Sequence, residues 1–381
     1  MEITNRKNTN SLKWDDESVD LPLWVADMDF ASPKEVIETL KERVNIKAYG
    51  YSIIPDEYFL SISNYYEKYH HIKFKKEEMI YTSGVVAAIS SMVRSLTKVN
   101  DNIVVLSPVY NIFYNSILNN KRNVLASNLI YQNQSYKIDW QDLEEKLAKE
   151  STSMLIFCNP HNPTGNIWSK EEIIKIGELC NKYNVLVISD EIHCDICDPG
   201  YEYTSFEINE VNKNISITCI SPSKVFNLAG LQSACVIIPN ADIRKKADRG
   251  FNNDEIAEPN FFSIAANITA YNKCRYYVEE LNKCIKANKD YFYNFVEKEI
   301  PNIKIVKSHS LYLVWLDISK LNIDSVTFVN KLKKEESLRV SDGLEYGENA
   351  RYFIRINLAT SIDNVKEASK RLKRFIDKLC Y

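Results

Sequence analysis

No stretch of this chain approaches the run of about 20 apolar residues that a membrane helix requires, so no membrane partner is expected. Met1–Asp20 is polar and acidic, which argues against a secretory leader. Basic residues are not in excess: 48 Lys and Arg stand against 51 Asp and Glu, a net charge of −3. That balance argues against a nucleic-acid or other polyanionic partner. Internal repeats and low-complexity linkers are missing, so the 381 residues are expected to form one large or two medium domains. The C-x-x-C at Cys194–Cys197 has no second paired cluster to complete a zinc site and no thioredoxin-like setting. No metal is expected. The nine cysteines are odd in number and lie mostly in apolar stretches, as reduced thiols of a cytoplasmic protein do. Glycine is scarce, at nine residues, beside abundant Asn, Lys, Ile and Tyr. We read this as compositional bias without functional content.

What is there is an ordinary globular composition, 45% hydrophobic and 26% charged, and one lysine in an unusual setting. Lys224 follows small hydroxyl residues in Ser221-Pro222-Ser223-Lys224. An apolar, strand-like run, Ile215–Ile220, precedes it, and Val225-Phe226-Asn227-Leu228-Ala229-Gly230-Leu231-Gln232 follows. A lysine where a buried strand hands over to a tight loop can be desolvated. Its pKa then falls, and the free amine becomes a usable nucleophile. The neighbouring hydroxyls can bond a phosphate. The combination suits a lysine that bonds the aldehyde of pyridoxal phosphate, PLP. Taken alone, the same residues also fit a surface lysine in a loop rich in Ser, Pro and Asn.

The chain around it alternates. Ser32-Pro33-Lys34-Glu35 reads as a helix start, with Ser32 as cap and Pro33 in the first position. A second amphipathic helix is expected over about 58–69. Strands are expected at Met79–Thr82, Ile103–Leu106, Met154–Cys158, Val185–Ser189, Ile215–Ile220 and Cys235–Ile238, with helices between several of them. Ser169-Lys170-Glu171-Glu172 is a capping box. Short all-apolar strands alternating with helices imply an α/β fold with a mostly parallel sheet flanked by helices. Ligands bind beyond the carboxyl ends of such strands. Ser83-Gly84-Val85-Val86, Asn159–Gly165, Asp190-Glu191 and Lys224 all follow strand ends, which places them at one site. After a long helical region over about 261–299, strands near 303–306, 311–316 and 352–357 and helices over about 326–336 and 364–378 read as a smaller α+β layer. The expected division is 46–283 for the large domain, with 1–45 and 284–381 forming the small one.

The order Trp24-Val25-Ala26-Asp27-Met28-Asp29-Phe30, Gly50-Tyr51, Asn162-Pro163-Thr164-Gly165, Asp190-Glu191-Ile192-His193 and Ser221–Gln232, ending at Arg355, spans nearly the whole chain. It resembles the fold-type I, PLP-dependent aminotransferase superfamily (class I/II), and within it the MalY/PatB group of cystathionine β-lyases and cysteine-S-conjugate β-lyases. The resemblance implies Lys224 as the cofactor-bonding and catalytic amine. It implies Asp190 as the carboxylate facing the pyridine nitrogen, Glu191 being the alternative. Asn162 is implied as donor to the phenolic oxygen. His193 stands where many relatives carry tyrosine, and either orients the ring or simply packs. Gly84, Val85 and Val86, at a helix start, offer backbone N–H groups to the phosphate, and Ser221 and Ser223 add hydroxyls. An arginine that many members place after the lysine is missing here. Tyr110 resembles the aromatic that stacks on the ring. Tyr51 resembles a tyrosine donated across a homodimer interface. Arg355 resembles the clamp for the substrate carboxylate, with Trp24, Val25 and Ala26 also on the substrate side. A Pro-Arg pair common after that arginine is replaced by Ala359-Thr360-Ser361-Ile362. The implied activity is carbon–sulfur β-elimination from a small amino-acid substrate. The alternatives are an aminotransferase using the same residues and, beyond catalysis, a regulatory binding protein.

Overall fold

The computed structural model describes residues 1–379. The last two residues of the expected small domain lie outside the described residues. Seven strands form the central sheet: β1 (Met79–Thr82), β2 (Asn102–Ser107), β3 (Asn123–Asn128), β4 (Thr152–Cys158), β5 (Leu186–Asp190), β6 (Ser216–Ile220) and β7 (Ala234–Ile237). Their order is β3-β2-β4-β5-β6-β7-β1. All run parallel except β7, which is antiparallel to both neighbours. The inner strands are apolar throughout because helices cover both faces. Val104, Leu155 and Val187 face one buried cluster, while Ile103, Ile156 and Ile188 face another. Each expected strand of this sheet is present. β3 was not anticipated: Asn-Val-Leu-Ala-Ser-Asn is an edge strand, half-exposed, and lacks the all-apolar signature.

The second layer is a four-stranded antiparallel sheet of β8 (Lys304–Ile305), β9 (Leu313–Asp317), β10 (Ser341–Asp342) and β11 (Phe353–Asn357), in the order β8-β9-β11-β10. The helices Arg275–Glu299, Ser325–Glu336 and Ile362–Leu379 pack around its core. The long helical region is broken at Cys274, so it forms two helices, Ser263–Lys273 and Arg275–Glu299. The latter bridges the layers, with Val278 and Leu281 in one cluster and Phe292 and Val296 in the other. Leu21–Pro22 pairs in parallel with Leu338–Arg339. From there the chain crosses to the large layer, where Met28 and Phe30 pack with Tyr58 and Phe226.

One helix start differs from expectation. Pro33 takes the cap position of Lys34–Asn45, without a side-chain cap. The Ser32 hydroxyl instead donates to Asn227 O at 3.2 Å, tying the N-terminal segment to the lysine loop. The capping box at Ser169 forms as expected: Ser169 Oγ accepts from Glu172 N–H at 3.2 Å, and the Glu172 carboxylate accepts from Ser169 N–H at 2.8 Å.

Candidate active site

A cavity of about 700 Å³ opens at the carboxyl ends of β1, β4, β5 and β6. It is lined by Gly84, Val85, Val86, Tyr110, Asn162, Asp190, His193, Ser221, Ser223 and Lys224, together with Ala26. Every residue expected to hold the cofactor is thus brought together except Tyr51. That tyrosine is fully exposed, in a separate groove beside Arg43 and Phe261.

The strands aim these groups. Asp190 ends β5 and is buried, and Lys224 follows β6 by four residues. Among the described residues, the only hydrogen bond to the Asp190 carboxyl is from Ile192 N–H, at 3.2 Å. Burial raises its pKa to about 7, against the opposing effects of that bond and of Lys224. Glu191 is also buried, but its oxygens are taken by Ser189 Oγ, the Tyr203 hydroxyl and Phe206 N–H. The alternative carboxylate is therefore occupied in the fold, while Asp190 faces the cavity. Lys224 Nζ donates to Ala26 O at 2.7 Å. Burial holds its pKa below the ordinary lysine value; Asp27 and Asp190 oppose this, and Arg355 reinforces it. The His193 imidazole is buried, with Nδ1 lacking a partner among the described residues, and burial pushes its pKa well down. Its ring meets Tyr312 edge-on at 6.1 Å.

Gly84 immediately precedes the helix Val85–Leu96. A Cβ added there would meet nothing within 4 Å, so the helix start opens onto free space. The Ser221 hydroxyl donates to Ser233 O at 2.7 Å, and Ser223 N–H donates to Ser221 Oγ at 3.1 Å. Tyr110 caps the helix Asn111–Leu118 at the cavity wall, and burial lifts its pKa to about 12. Asn162 is buried, and its Oδ1 accepts from Arg355 Nη1 at 3.0 Å. That leaves the amide NH2 of Asn162 as its free donor.

Arg355 lies on β11, buried, over the face of Tyr346 at 4.9 Å. Nη2 donates to Trp24 O at 2.9 Å, and Nε has no hydrogen-bond partner among the described residues. No carboxylate pairs with it among the described residues. A buried guanidinium without an anion is costly unless a ligand supplies one. Trp24 and Val25 do not line the cavity. They enter through their carbonyls, which accept from Arg355 and Asn357, while the Trp24 ring lies against Arg339 at 3.9 Å.

These features fit PLP. An amine, a buried carboxyl short of a cation, and an open helix start border one cavity of suitable size. Two groups were missed from the sequence. Tyr312 is one of 23 tyrosines and directly precedes the apolar strand β9, so nothing marked it. Asn357 did carry a signal: it lies two residues after Arg355, on the same face of a buried strand. Elsewhere, His70, Cys194 and Asp195 bring three metal-type ligand atoms within 4.8 Å. Asp195 is already bonded by Tyr65 and by the fixed cation Arg275 at 3.3 Å, so we read this cluster as an ion-pair network.

A profile of the family described as aminotransferase class I and II matches residues 20–372. Cystathionine beta-lyase PatB of Bacillus subtilis (strain 168) is 35% identical over 375 residues, covering 97% of each chain. The structure of cystalysin from Treponema denticola, which contains pyridoxal 5'-phosphate, superposes with a TM-score of 0.95 at 32% identity, covering 100% of this chain and 98% of that one. The PLP-bound C-S lyase from Staphylococcus hominis gives a TM-score of 0.93 at 30% identity, covering 98% and 97%. This chain belongs to the aminotransferase class I and II family and, within it, to the branch of PatB-type cystathionine β-lyases.

Proposed function

We propose that the chain is a PLP-dependent carbon–sulfur β-lyase that cleaves L-cystathionine or related cysteine S-conjugates to a thiol, pyruvate and ammonia. One observation carries the cofactor chemistry: the Lys224 amine and the Asp190 carboxyl border the same cavity, each short of the partner PLP offers. Similarity to carbon–sulfur lyases along the whole chain selects elimination over amino transfer.

Bound PLP supplies an aldehyde for the substrate amine and a ring that spreads the charge left when the Cα proton departs. Asp190, ionised beside the ring nitrogen, keeps that nitrogen protonated. Gly84, Val85 and Val86 offer N–H groups to the phosphate, joined by the Ser221 and Ser223 hydroxyls. Tyr110 covers the ring face. Asn162, its oxygen held by Arg355, presents its NH2 to the phenolic oxygen, with His193 beside it. Arg355 takes the substrate carboxylate, and the 24–26 segment closes the substrate side. The Lys224 amine removes the Cα proton and delivers it to the departing sulfur. The carbon–sulfur electron pair leaves with the thiolate, and water converts the released enamine to pyruvate and ammonia. Positioning and electrostatics do this work.

The finer assignments belong to the same reading. For the domain division at 46–283, the apolar cluster of Phe292, Val296 and the C-terminal strands supports a separate small domain, while Met28, Phe30 and Val36 pack in the large-layer cluster, so the N-terminal segment is shared between the two. A homodimer with Tyr51 reaching the partner's site is supported by a run of exposed apolar residues, Val44, Ile46, Tyr49, Tyr51 and Ile53. Among the described residues no helix is long and apolar enough to cross a membrane. A cytoplasmic location is supported by eight described cysteines that are all free thiols.

The deciding experiment incubates purified enzyme with L-cystathionine in the absence of any keto acid. Pyruvate should accumulate; strict dependence on an added keto acid would make the protein an aminotransferase. Lys224→Ala should lose both the visible cofactor absorbance and the activity.

A further inference from the structure

Four successive carbonyls in the N-terminal crossing segment accept hydrogen bonds from side chains beneath them. Arg355 Nη2 donates to Trp24 O at 2.9 Å. The Asn357 amide nitrogen spans Val25 O and Asp27 O, both at 2.6 Å. Between these, Ala26 O accepts from Lys224 Nζ at 2.7 Å and from the Tyr312 hydroxyl at 3.1 Å. Asn357 is buried, and its own oxygen accepts from Ala359 N–H at 2.7 Å. Tyr312 is buried as well.

We propose that the Ala26 carbonyl is the docking point of the Lys224 amine whenever that amine is not bonded to cofactor, and that Asn357 and Tyr312 are positioning residues that hold this carbonyl for it. The proposal rests on the PLP reading above. A lysine that is displaced by substrate, moves a proton and then bonds the cofactor again must stay aimed throughout. A carboxylate acceptor would trap it as ammonium. A neutral carbonyl accepts from the ammonium and the free amine alike, so it fixes direction without fixing the proton. Asn357 pins the carbonyls on both sides, and planar peptides leave little freedom for the one between. Tyr312, as second donor to the same oxygen, leaves less of its bonding capacity for the ammonium.

The test uses cofactor-free protein and trace acetylation with acetic anhydride at pH 8, reading Lys224 by mass spectrometry against the other lysines. Asn357→Ser is too short to span both carbonyls and should let water reach the amine. Tyr312→Phe keeps the ring and gives Ala26 O wholly to the amine, favouring the ammonium. Each should slow Lys224 acetylation, with about tenfold as the limit set by a one-unit rise in amine pKa. Asn227→Gly is the control. It releases Met28 O and Phe30 O of the same segment, and its positive φ of 57° suits glycine. It should leave the rate unchanged. Unchanged acetylation in both test variants overturns the proposal, and so does equal slowing in all three, which marks general loosening. If Asn357→Ser fails to fold, Tyr312→Phe, which removes a single oxygen, decides alone. With PLP restored, the test variants should lose kcat while KM for the amino acid stays put, because Arg355 is untouched. The acetylation result needs neither cofactor nor turnover. Failure of the PLP reading would show separately, as wild-type protein without the visible band.

Discussion

At the residue scale the site is a set of buried polar groups that the chain does not itself satisfy. Asp190 is the clearest. Its carboxyl, with a pKa of about 7, costs folding free energy once it ionises. The sign follows from linkage: the penalty is absent below the unfolded value near 4, grows between pH 4 and 7, and is complete above 7. Cofactor-free protein should therefore lose stability across that window. Asp190→Asn should remove this pH dependence and stabilise the cofactor-free chain by about 1–3 kcal/mol at pH 8, while abolishing activity. Urea unfolding at pH 5 and pH 8 checks both parts. Arg355 follows the same logic for substrate. Arg355→Ala should raise KM and cut kcat/KM by about 100-fold or more, the loss of a buried bidentate pair, with the cofactor absorbance retained.

At the scale of elements, parallel strands deliver residues to one edge, and loops then set the details. Asn162-Pro163-Thr164-Gly165 leaves β4 and turns against the small layer. Gly165 has φ +73°, and a Cβ there would stand 2.5 Å from Ser308 Cβ. Its carbonyl also accepts from Ser310 Oγ at 2.9 Å. The glycine thus serves a close approach between layers as well as a turn. Gly165→Ala should destabilise the protein by about 1–3 kcal/mol, seen as a lower urea midpoint. It should also weaken PLP retention, because Asn162 shares the loop. At this scale the sequence was legible wherever burial is two-sided. β1, β2, β4, β5, β6 and β7 read as apolar runs, and Ser169 announced its helix. Edge strand β3, the hairpin Ile130–Gln132 with Ser135–Lys137, and the helix Ala241–Asn253 did not. One-sided burial gives weaker patterns, which local propensity alone does not resolve.

At the scale of the whole molecule, Val44, Ile46, Tyr49, Tyr51 and Ile53 are all exposed within ten residues, and clustered exposed apolar side chains mark interaction surfaces. A dimer built on this run would place Tyr51 away from its own cavity and toward another. Ile53→Lys should shift the protein to monomer in size-exclusion chromatography and make it lose PLP on dilution. A Tyr51→Phe dimer should bind PLP more weakly, by about 1 kcal/mol for one hydrogen bond, without changing size.

By itself, the sequence determined the cofactor chemistry and the sheet that presents it. Lys224, Asp190, Asn162 and Gly84 are each written beside an apolar strand, and strand order in a parallel sheet carries their ends to one edge. The resemblance favoured Asp190 over Glu191, and only the tertiary structure shows the physical reason: Asp190 ends β5 at the cavity, while Glu191, just past the strand, is held by Ser189, Tyr203 and Phe206. The tertiary structure also decided that the segment 24–27 acts through its carbonyls, and that Tyr312 and Asn357 reach them. Backbone acceptors are the same in every residue, so no sequence pattern marks them. Their role exists only once the small layer brings buried donors against them.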